Sequence, residues 1–452
     1  MNQRDDSVIY ASLTVIAVLA LLFGFFGLSA ESFIVIAVLS GIIAYASRFL
    51  LRNDATEWLG KVVFYGWMAK LVGSAFRYWV AVVAYGGRAD AVTYYRAGAN
   101  FHVHDWRQFT VPTVTGRGAG TNFTESVTGF VFVPYVPDML GGFFMFAAIA
   151  FVGQMLFYAA FRKALPAVAH KRYAWGIFLL PSMVYWPSSI GKDALITLAL
   201  GLASWGAATI FAGKWGSGVA AVAGGVSLAA AIRPHIAALF FGAAVVALVV
   251  ARAPRIRGGQ FMRIALIAVM GVGLAIAAVR LSNTFNVNLS SEGFEGFATE
   301  VQRRTSQGGS QVTGEPVSSL ADVPEAALRV LYRPLLNEAS TFQVLLSAIE
   351  GTFLLAITIL AAPRILMNIW AARRHQFVAL ALAYTFGFVV AFSSFFNLGI
   401  IARQRVQVLP LLLACLVALT MRREDLLDEP PAEPLPTVAV RSPAMASIPP
   451  IG

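Results

Sequence analysis

Long apolar runs are the feature of this sequence that most restricts its fold. They recur from Val8 to Thr420, each near the length of about 20 residues that a helix needs to cross a bilayer. Backbone donors and acceptors in lipid must be satisfied within their own segment, so these runs predict helices. Strands of a membrane barrel alternate in polarity and are about half as long, which excludes a barrel. The sequence therefore predicts an all-α, polytopic integral membrane protein.

The runs divide the chain into about twelve predicted transmembrane helices. They cover approximately residues 8–28, 33–51, 61–85, 138–161, 173–189, 190–212, 217–232, 235–251, 264–281, 341–362, 376–396 and 404–420. The pairs at 173–212 and 217–251 have short members and polar corners, so either is also compatible with a broken or re-entrant element.

Composition supports a membrane protein and excludes other classes. Only 13% of the 452 residues are charged, against about 25% in an ordinary soluble domain. The net charge of +11 does not come from a basic soluble face, so no nucleic-acid partner is predicted. The single Cys415 lies in an apolar run and reads as a small buried hydrophobe.

The basic loops predict the orientation, because short loops rich in Lys and Arg remain cytoplasmic. Both termini are then cytoplasmic, with a transmembrane domain over residues 1–420 and a disordered tail over 421–452. Two large loops, about 86–137 and 282–340, are extracytoplasmic. Three tight corners share that face: Ser188–Asp193, Arg233–His235 and Asn397–Arg405.

Asp90 is the candidate catalytic residue. It follows the third predicted span closely, with Arg88 and Tyr94 beside it. A carboxylate held there can take a proton from an acceptor hydroxyl, and neighbouring arginines keep it ionised. A helix-capping aspartate is the alternative interpretation.

Charged residues at the other corners are candidates for binding a phosphate. Pro181 and Pro187 interrupt the helix before Lys192 and Asp193. Lys192 suits a phosphate oxygen, whereas Asp193 neutralises that lysine or caps the next helix. Arginine forks match phosphate geometry, although a single interfacial Arg usually snorkels. The remaining candidates of this group are Arg233, His235, Arg333, Arg403 and Arg405.

Two further groups are weaker signals. His102, His104 and Asp105 are competent ligands for a divalent cation, but alternate positions in a loop do not define a site, and surface histidines are the alternative. Lys70 and Arg77 are seven residues apart on one helix face, which should point into the bundle.

Several short motifs together resemble a known class. GRADAVTYY, PSMVYWPSSIGKD, YRPLLNE and RQRVQVLPLLL look like segments of multispan proteins of bacterial surface-polysaccharide assembly. They are similar to the GT-C class of polyprenyl-phosphate-dependent glycosyltransferases and their polymerase-like relatives. The last motif departs from the common RYRxPxxPLL ending at Gln404 and lacks its first proline. The resemblance implies Asp90 as the base of an inverting transfer, outer arginines on the lipid phosphate and, in some members, a divalent cation.

Three functions follow as hypotheses. The first is a glycosyltransferase of the bacterial plasma membrane, moving a sugar from a polyprenyl-phosphate donor to a glycan or lipid acceptor on the outer face. The second is a polysaccharide polymerase or ligase that uses a polyprenyl-pyrophosphate glycan, with His235 or another base in place of Asp90. The third is a transporter or flippase of an envelope intermediate, for which no pseudo-symmetric halves are visible in the sequence.

Overall fold

A computed structural model of the chain describes residues 3–50, 56–104, 119–250, 317, 319–339, 342–372 and 375–427. These residues form helices and no β-strand, which confirms the all-α class. Five of the described helices are long and apolar enough to cross a membrane, or six if one bent pair counts as a span. The structure is therefore compatible with a membrane protein, and the count of about twelve spans stays a prediction.

The helices before the long undescribed segment follow the predicted runs closely. They are α1 (Gln3–Gly24), α2 (Ala30–Leu50), α3 (Glu57–Trp79, continued by a π-turn Val80–Ala84), α4 (Asp90–His104), α5 (Ala119–Phe132), α6 (Met139–Ala164), α7 (Ala167–Leu179), α8 (Pro181–Tyr185), α9 (Lys192–Phe211), α10 (Trp215–Ile232) and α11 (Pro234–Val250). The prolines break the fifth predicted span as expected, because α7 ends before Pro181 and α8 ends before Pro187.

The helices of the C-terminal part include one bent pair. They are α12 (Val323–Ala327, continued by a π-turn Leu328–Tyr332), α13 (Phe342–Ala372), α14 (Gln376–Phe392), α15 (Leu398–Gln404), α16 (Leu409–Leu419) and α17 (Arg423–Leu427). A 3-10 turn, Arg405–Gln407, joins α15 to α16 at an angle of 67°. The predicted span at 264–281 lies outside the described residues.

Three boundaries differ from the predictions. The first predicted outer loop contains α4 and α5, which its weak apolar pattern did not indicate. Helix α13 continues through Pro363 to Ala372, since a proline inside a membrane helix is tolerated when neighbours satisfy the freed carbonyl. The predicted tail begins with α17, whose Leu426 is fully buried, and residues beyond 427 are not described.

Helices α6 and α9 lie at the centre of the bundle. Their backbones approach closely at two glycines: a Cβ on Gly153 would lie 2.6 Å from the Thr197 carbonyl oxygen, and one on Gly201 would lie 2.4 Å from that of Gly153. Small residues at a helix interface allow this approach and the dispersion contacts that hold membrane helices together. Lys70 on α3 also points inward as predicted, and its Nζ donates to the Met183 carbonyl at 2.7 Å.

Candidate functional site

A buried carboxylate, Asp193, stands at the centre of the candidate site. It is 2% exposed and lies in the first turn of α9. Arg233 Nη2 donates to its Oδ1 at 2.9 Å, and Arg403 Nε donates to its Oδ2 at 2.6 Å. Both carboxylate oxygens of Asp193 therefore bind arginines from other corners, whereas the sequence suggests Lys192 or the N-terminus of the next helix as its partner.

Arg403 joins Asp90 to this carboxylate. Its Nη1 lies 3.7 Å from Asp90 Oδ2, while its Nε binds Asp193. Asp90 begins α4, and its side chain is 67% exposed, against 2% for Asp193. One of the two carboxylates thus remains open to solvent, while the other is enclosed by guanidinium groups.

Lys192 and Tyr94 meet at Thr121. Lys192 Nζ donates to Thr121 Oγ1 at 2.9 Å, and the Thr121 side chain also hydrogen-bonds with the Tyr94 hydroxyl. Burial, followed by the negative charge of Asp90, raises the pKa of Tyr94 to about 12. Its hydroxyl is therefore protonated at neutral pH and can donate a hydrogen bond.

The corner before Lys192 requires a glycine. Gly191 caps α9 with φ +148°, in a region that L side chains rarely adopt. A Cβ there would also lie 3.3 Å from Cε2 of Tyr94, whose ring covers the corner. The glycine therefore lets α9 begin close to Tyr94 of α4.

Asp90, Lys192, Asp193, Arg233 and Arg403, here named the charged cluster, are surrounded by helix N-termini. Helices α4 and α9 begin at Asp90 and Lys192, and α11 begins one residue after Arg233. Thr121, which binds Lys192, lies in the first turn of α5. Helix N-termini carry partial positive charge and unsatisfied N–H groups, so their convergence favours an anion.

Arg77 on α3 is a further cation beside the cluster. Its guanidinium lies 5.0 Å from the ring centroid of Tyr185 and 5.1 Å from that of Trp186, and its charge acts on the Asp193 carboxylate. The sequence predicted its inward direction but not its place in this site. The sequence gives one indication of this role of Arg77. It is a basic residue about two turns from the end of a predicted span, and the PSMVYWP motif supplies an aromatic pair for it to contact.

Two guanidinium nitrogens near the cluster lack an acceptor. In the described part of the chain, neither Arg233 Nη1 nor Arg77 Nε has a hydrogen-bond partner, although both atoms are buried. A buried donor left unpaired costs about 1–3 kcal/mol. Arg405 Nε also lacks a hydrogen-bond partner among the described residues, so what distinguishes Arg233 and Arg77 is their place beside the charged cluster, where an added acceptor would satisfy them.

The other predicted phosphate-binding residues lie elsewhere. Arg405 is fully buried and donates to main-chain carbonyls, including that of Ser347 at 3.0 Å. Arg333 Nε donates to Glu338 Oε1 at 2.8 Å. Arg88 is exposed in the turn before α4. Among the described residues, none of these three arginines has a hydrogen bond or ion pair with a member of the charged cluster.

His235 is adjacent to the cluster but turned toward an aromatic group. It follows Pro234 in α11, is partly buried, and its ring centroid lies 6.0 Å from that of Phe392. This position keeps it near the charged cluster, and no hydrogen bond among the described residues joins it to Asp193.

The weak metal candidates fall at the edge of the described residues. His102 and His104 belong to the last turn of α4, where only the backbone is described, and Asp105 is not described. Among the described side chains, no group of three or more His, Cys, Asp or Glu residues has a metal-binding arrangement. A divalent cation remains a prediction from the sequence.

Taken together, the cluster and Arg77 present four cationic side chains and two carboxylates. One carboxylate is bound between arginines and one is accessible, an arrangement that can hold an anion next to an accessible base.

Comparisons with protein-family models, with curated proteins and with solved structures gave no match to this chain.

Proposed function

We propose that the protein is a cell-envelope glycosyltransferase that uses a polyprenyl-linked sugar donor, with the donor phosphate bound at the charged cluster. The observation that carries the proposal is the pair of buried, unpaired guanidinium nitrogens on Arg233 and Arg77, within a group of four cations and two carboxylates. Guanidinium forks bind phosphate oxygens bidentately, and helix N-termini add to the attraction. The reaction type is taken from the resemblance of the short motifs to the GT-C class.

In the proposed reaction, Asp90 accepts the proton of an acceptor hydroxyl. The hydroxyl oxygen attacks the anomeric carbon of the donor sugar, and the bond between that carbon and the phosphate oxygen breaks. The electron pair stays with the phosphate, whose charge Arg233, Arg403 and Lys192 stabilise. Asp90 suits the role of base better than Asp193, because its carboxylate is 67% exposed and holds only one ion pair at 3.7 Å.

A second candidate, transfer from a polyprenyl-pyrophosphate glycan, is favoured by the charge balance. The four cations exceed the two carboxylates by two positive charges. A sugar phosphodiester of a polyprenol carries one negative charge, whereas a glycan pyrophosphate diester carries two. A doubly charged group therefore neutralises the cluster more completely.

A chromosomal Asp90→Asn allele in the source organism tests the first candidate, and the second where it uses Asp90 as its base. We expect the variant protein to insert normally, the surface glycan to be lost and the donor to accumulate, because the variant binds donor without activating the acceptor. Mass spectrometry of the extracted lipids then identifies the donor as a monosaccharide phosphate or an oligosaccharide pyrophosphate.

The matched control for this allele is Glu57→Gln. Glu57 is an exposed carboxylate whose side chain is 79% accessible and paired with Lys61 four residues later. This substitution should leave glycan and lipid intermediates unchanged. Normal glycan in the Asp90→Asn strain, with no accumulated lipid, would contradict the assignment of Asp90 as base.

A further inference from the structure

Arg405 lies two positions from Arg403 but serves a different part of the structure. It is fully buried, and its Nη1 donates to the carbonyls of Leu331 at 3.2 Å and Arg333 at 3.3 Å. Its Nη2 donates to the carbonyl of Ser347 at 3.0 Å. The guanidinium therefore fastens the α15–α16 turn to the end of the α12 π-turn and to α13.

Glu350 extends this attachment to the opposite side of the site. Its Oε1 lies 3.7 Å from Arg405 Nη2, and its Oε2 accepts a hydrogen bond from the Ser182 backbone N–H at 2.6 Å. Ser182 is in α8, on the segment that leads to Lys192 and Asp193. Arg405, Glu350 and Ser182, here named the buried bridge, thus connect the two segments that supply Arg403 and Asp193.

The segment that carries Arg403 depends on such an attachment. Helix α15 is only seven residues long and turns by 67° into α16 through Arg405–Gln407. A short helix beside a sharp bend has few backbone hydrogen bonds to fix its direction. The direction of the Arg403 side chain is therefore set largely by what holds the bend.

We propose that Arg405 is a positioning residue, which acts through the buried bridge to hold Arg403 against Asp193 and Asp90 and does not itself bind the anion. The inference rests on the proposed function only in that Arg403 belongs to the anion-binding site. Arg405 binds three carbonyls through its planar fork, a geometry that a lysine cannot reproduce with a single ammonium group.

Binding of inorganic pyrophosphate to the purified full-length protein in detergent, measured by calorimetry, is the first test. Arg405→Lys should weaken binding on the order of tenfold, within the range of couplings inside one side-chain network. In an Arg403→Ala background, the same substitution should cause no further loss, because its effect passes through Arg403. Losses that multiply would show that Arg405 binds the anion directly, and unchanged affinity of folded Arg405→Lys would also overturn the proposal.

Thermal unfolding supplies a second readout that needs no ligand. The coupling between Arg403→Ala and Asp193→Asn in the unfolding midpoint should be clearly smaller in the Arg405→Lys background than in the wild type. An undiminished coupling would overturn the inference, even if the wild type fails to bind pyrophosphate and the proposed function is wrong. If Arg405→Lys does not fold, Glu350→Gln replaces it, since the amide keeps the side-chain shape while removing the charge that faces Arg405.

Discussion

At the scale of single residues, burial separates two aspartates that look alike in the sequence. Asp193 is 2% exposed and receives hydrogen bonds from Arg233 and Arg403. Asp90 is 67% exposed and has one ion pair at 3.7 Å. A buried ion pair is costly to break because the remaining charges lose their compensation, whereas an exposed pair contributes little to stability. Asp193 is therefore a structural partner of the arginines, and Asp90 is the accessible carboxylate, to which the proposed function gives the role of base.

This difference predicts stability effects of very different size for two matched substitutions. Asp193→Asn leaves Arg233 without a countercharge and Arg403 with only the exposed Asp90, and should destabilise the protein by about 3–5 kcal/mol. Asp90→Asn should change stability by no more than about 0.5 kcal/mol, because the side chain is largely exposed. Unfolding of both purified variants in detergent, followed by tryptophan fluorescence, measures the difference. Equal unfolding midpoints would contradict the structural role of Asp193.

Sequence reasoning found most of the cluster because ionisable residues beside apolar runs are few and conspicuous. Asp90, Lys192, Asp193, Arg233 and Arg403 were all singled out, and the structure brings them together. Their roles in binding and catalysis stay predictions. Arg405 was placed with them because it shares a corner with Arg403, but the 3-10 turn after Gln404 directs its side chain into the bundle. The direction in which such a turn points a side chain depends on tertiary packing and cannot be predicted from residue spacing.

At the scale of helices, the length of the apolar runs and the positions of prolines predicted the helices well, whereas helices within polar segments were not predicted. The breaks around α8 follow from Pro181 and Pro187, whose rings exclude a continuous helix. Helices α4 and α5 are not predicted because, at 15 and 14 residues, both are shorter than a membrane span, and their stability comes from packing on each other and on the bundle. Within the second predicted outer loop, the π-turn Leu328–Tyr332 is mostly buried, since Arg329 is only 2% exposed.

The closest helix contact predicts a specific sensitivity. An alanine at Gly153 or Gly201 would bring a methyl group within 2.6 or 2.4 Å of a backbone oxygen of the facing helix, so α6 and α9 must separate. We expect each substitution to destabilise the protein by about 1–3 kcal/mol. Thermal stability in detergent and the yield of monodisperse protein measure this effect.

Gly242 on α11 provides the control for this contact. A Cβ at Gly242 would meet no atom within 4 Å in the described structure. Gly242→Ala should therefore leave stability unchanged or raise it, since alanine favours a helix by about 1 kcal/mol. If all three alanine variants behaved alike, the close approach of α6 and α9 would not be a determinant of stability.

At the scale of the whole molecule, side chains from corners far apart in sequence meet at one place. Asp90, Asp193, Arg233 and Arg403 come from the ends of four different helices, and each contacts another member directly. The distribution of basic loops in the sequence predicts that these four positions share one face. Their meeting agrees with a common face, because charged groups from opposite faces of a bilayer are separated by about 30 Å of hydrocarbon.

The predicted orientation of that face has a direct test. Arg88, two residues before Asp90, should be extracytoplasmic, and Lys171, near the start of α7, should be cytoplasmic; both are exposed. Helix α6 has 26 residues, about 39 Å at about 1.5 Å per residue, which is enough to cross the bilayer between them. In a Cys415→Ala background, we expect a membrane-impermeant maleimide to label Arg88→Cys in intact cells, and Lys171→Cys only after permeabilisation. The reverse pattern would invert the orientation and move the proposed reaction away from the outer face, because the donor and acceptor must reach Asp90 from its own side. Labelling of both in intact cells would exclude a crossing by α6.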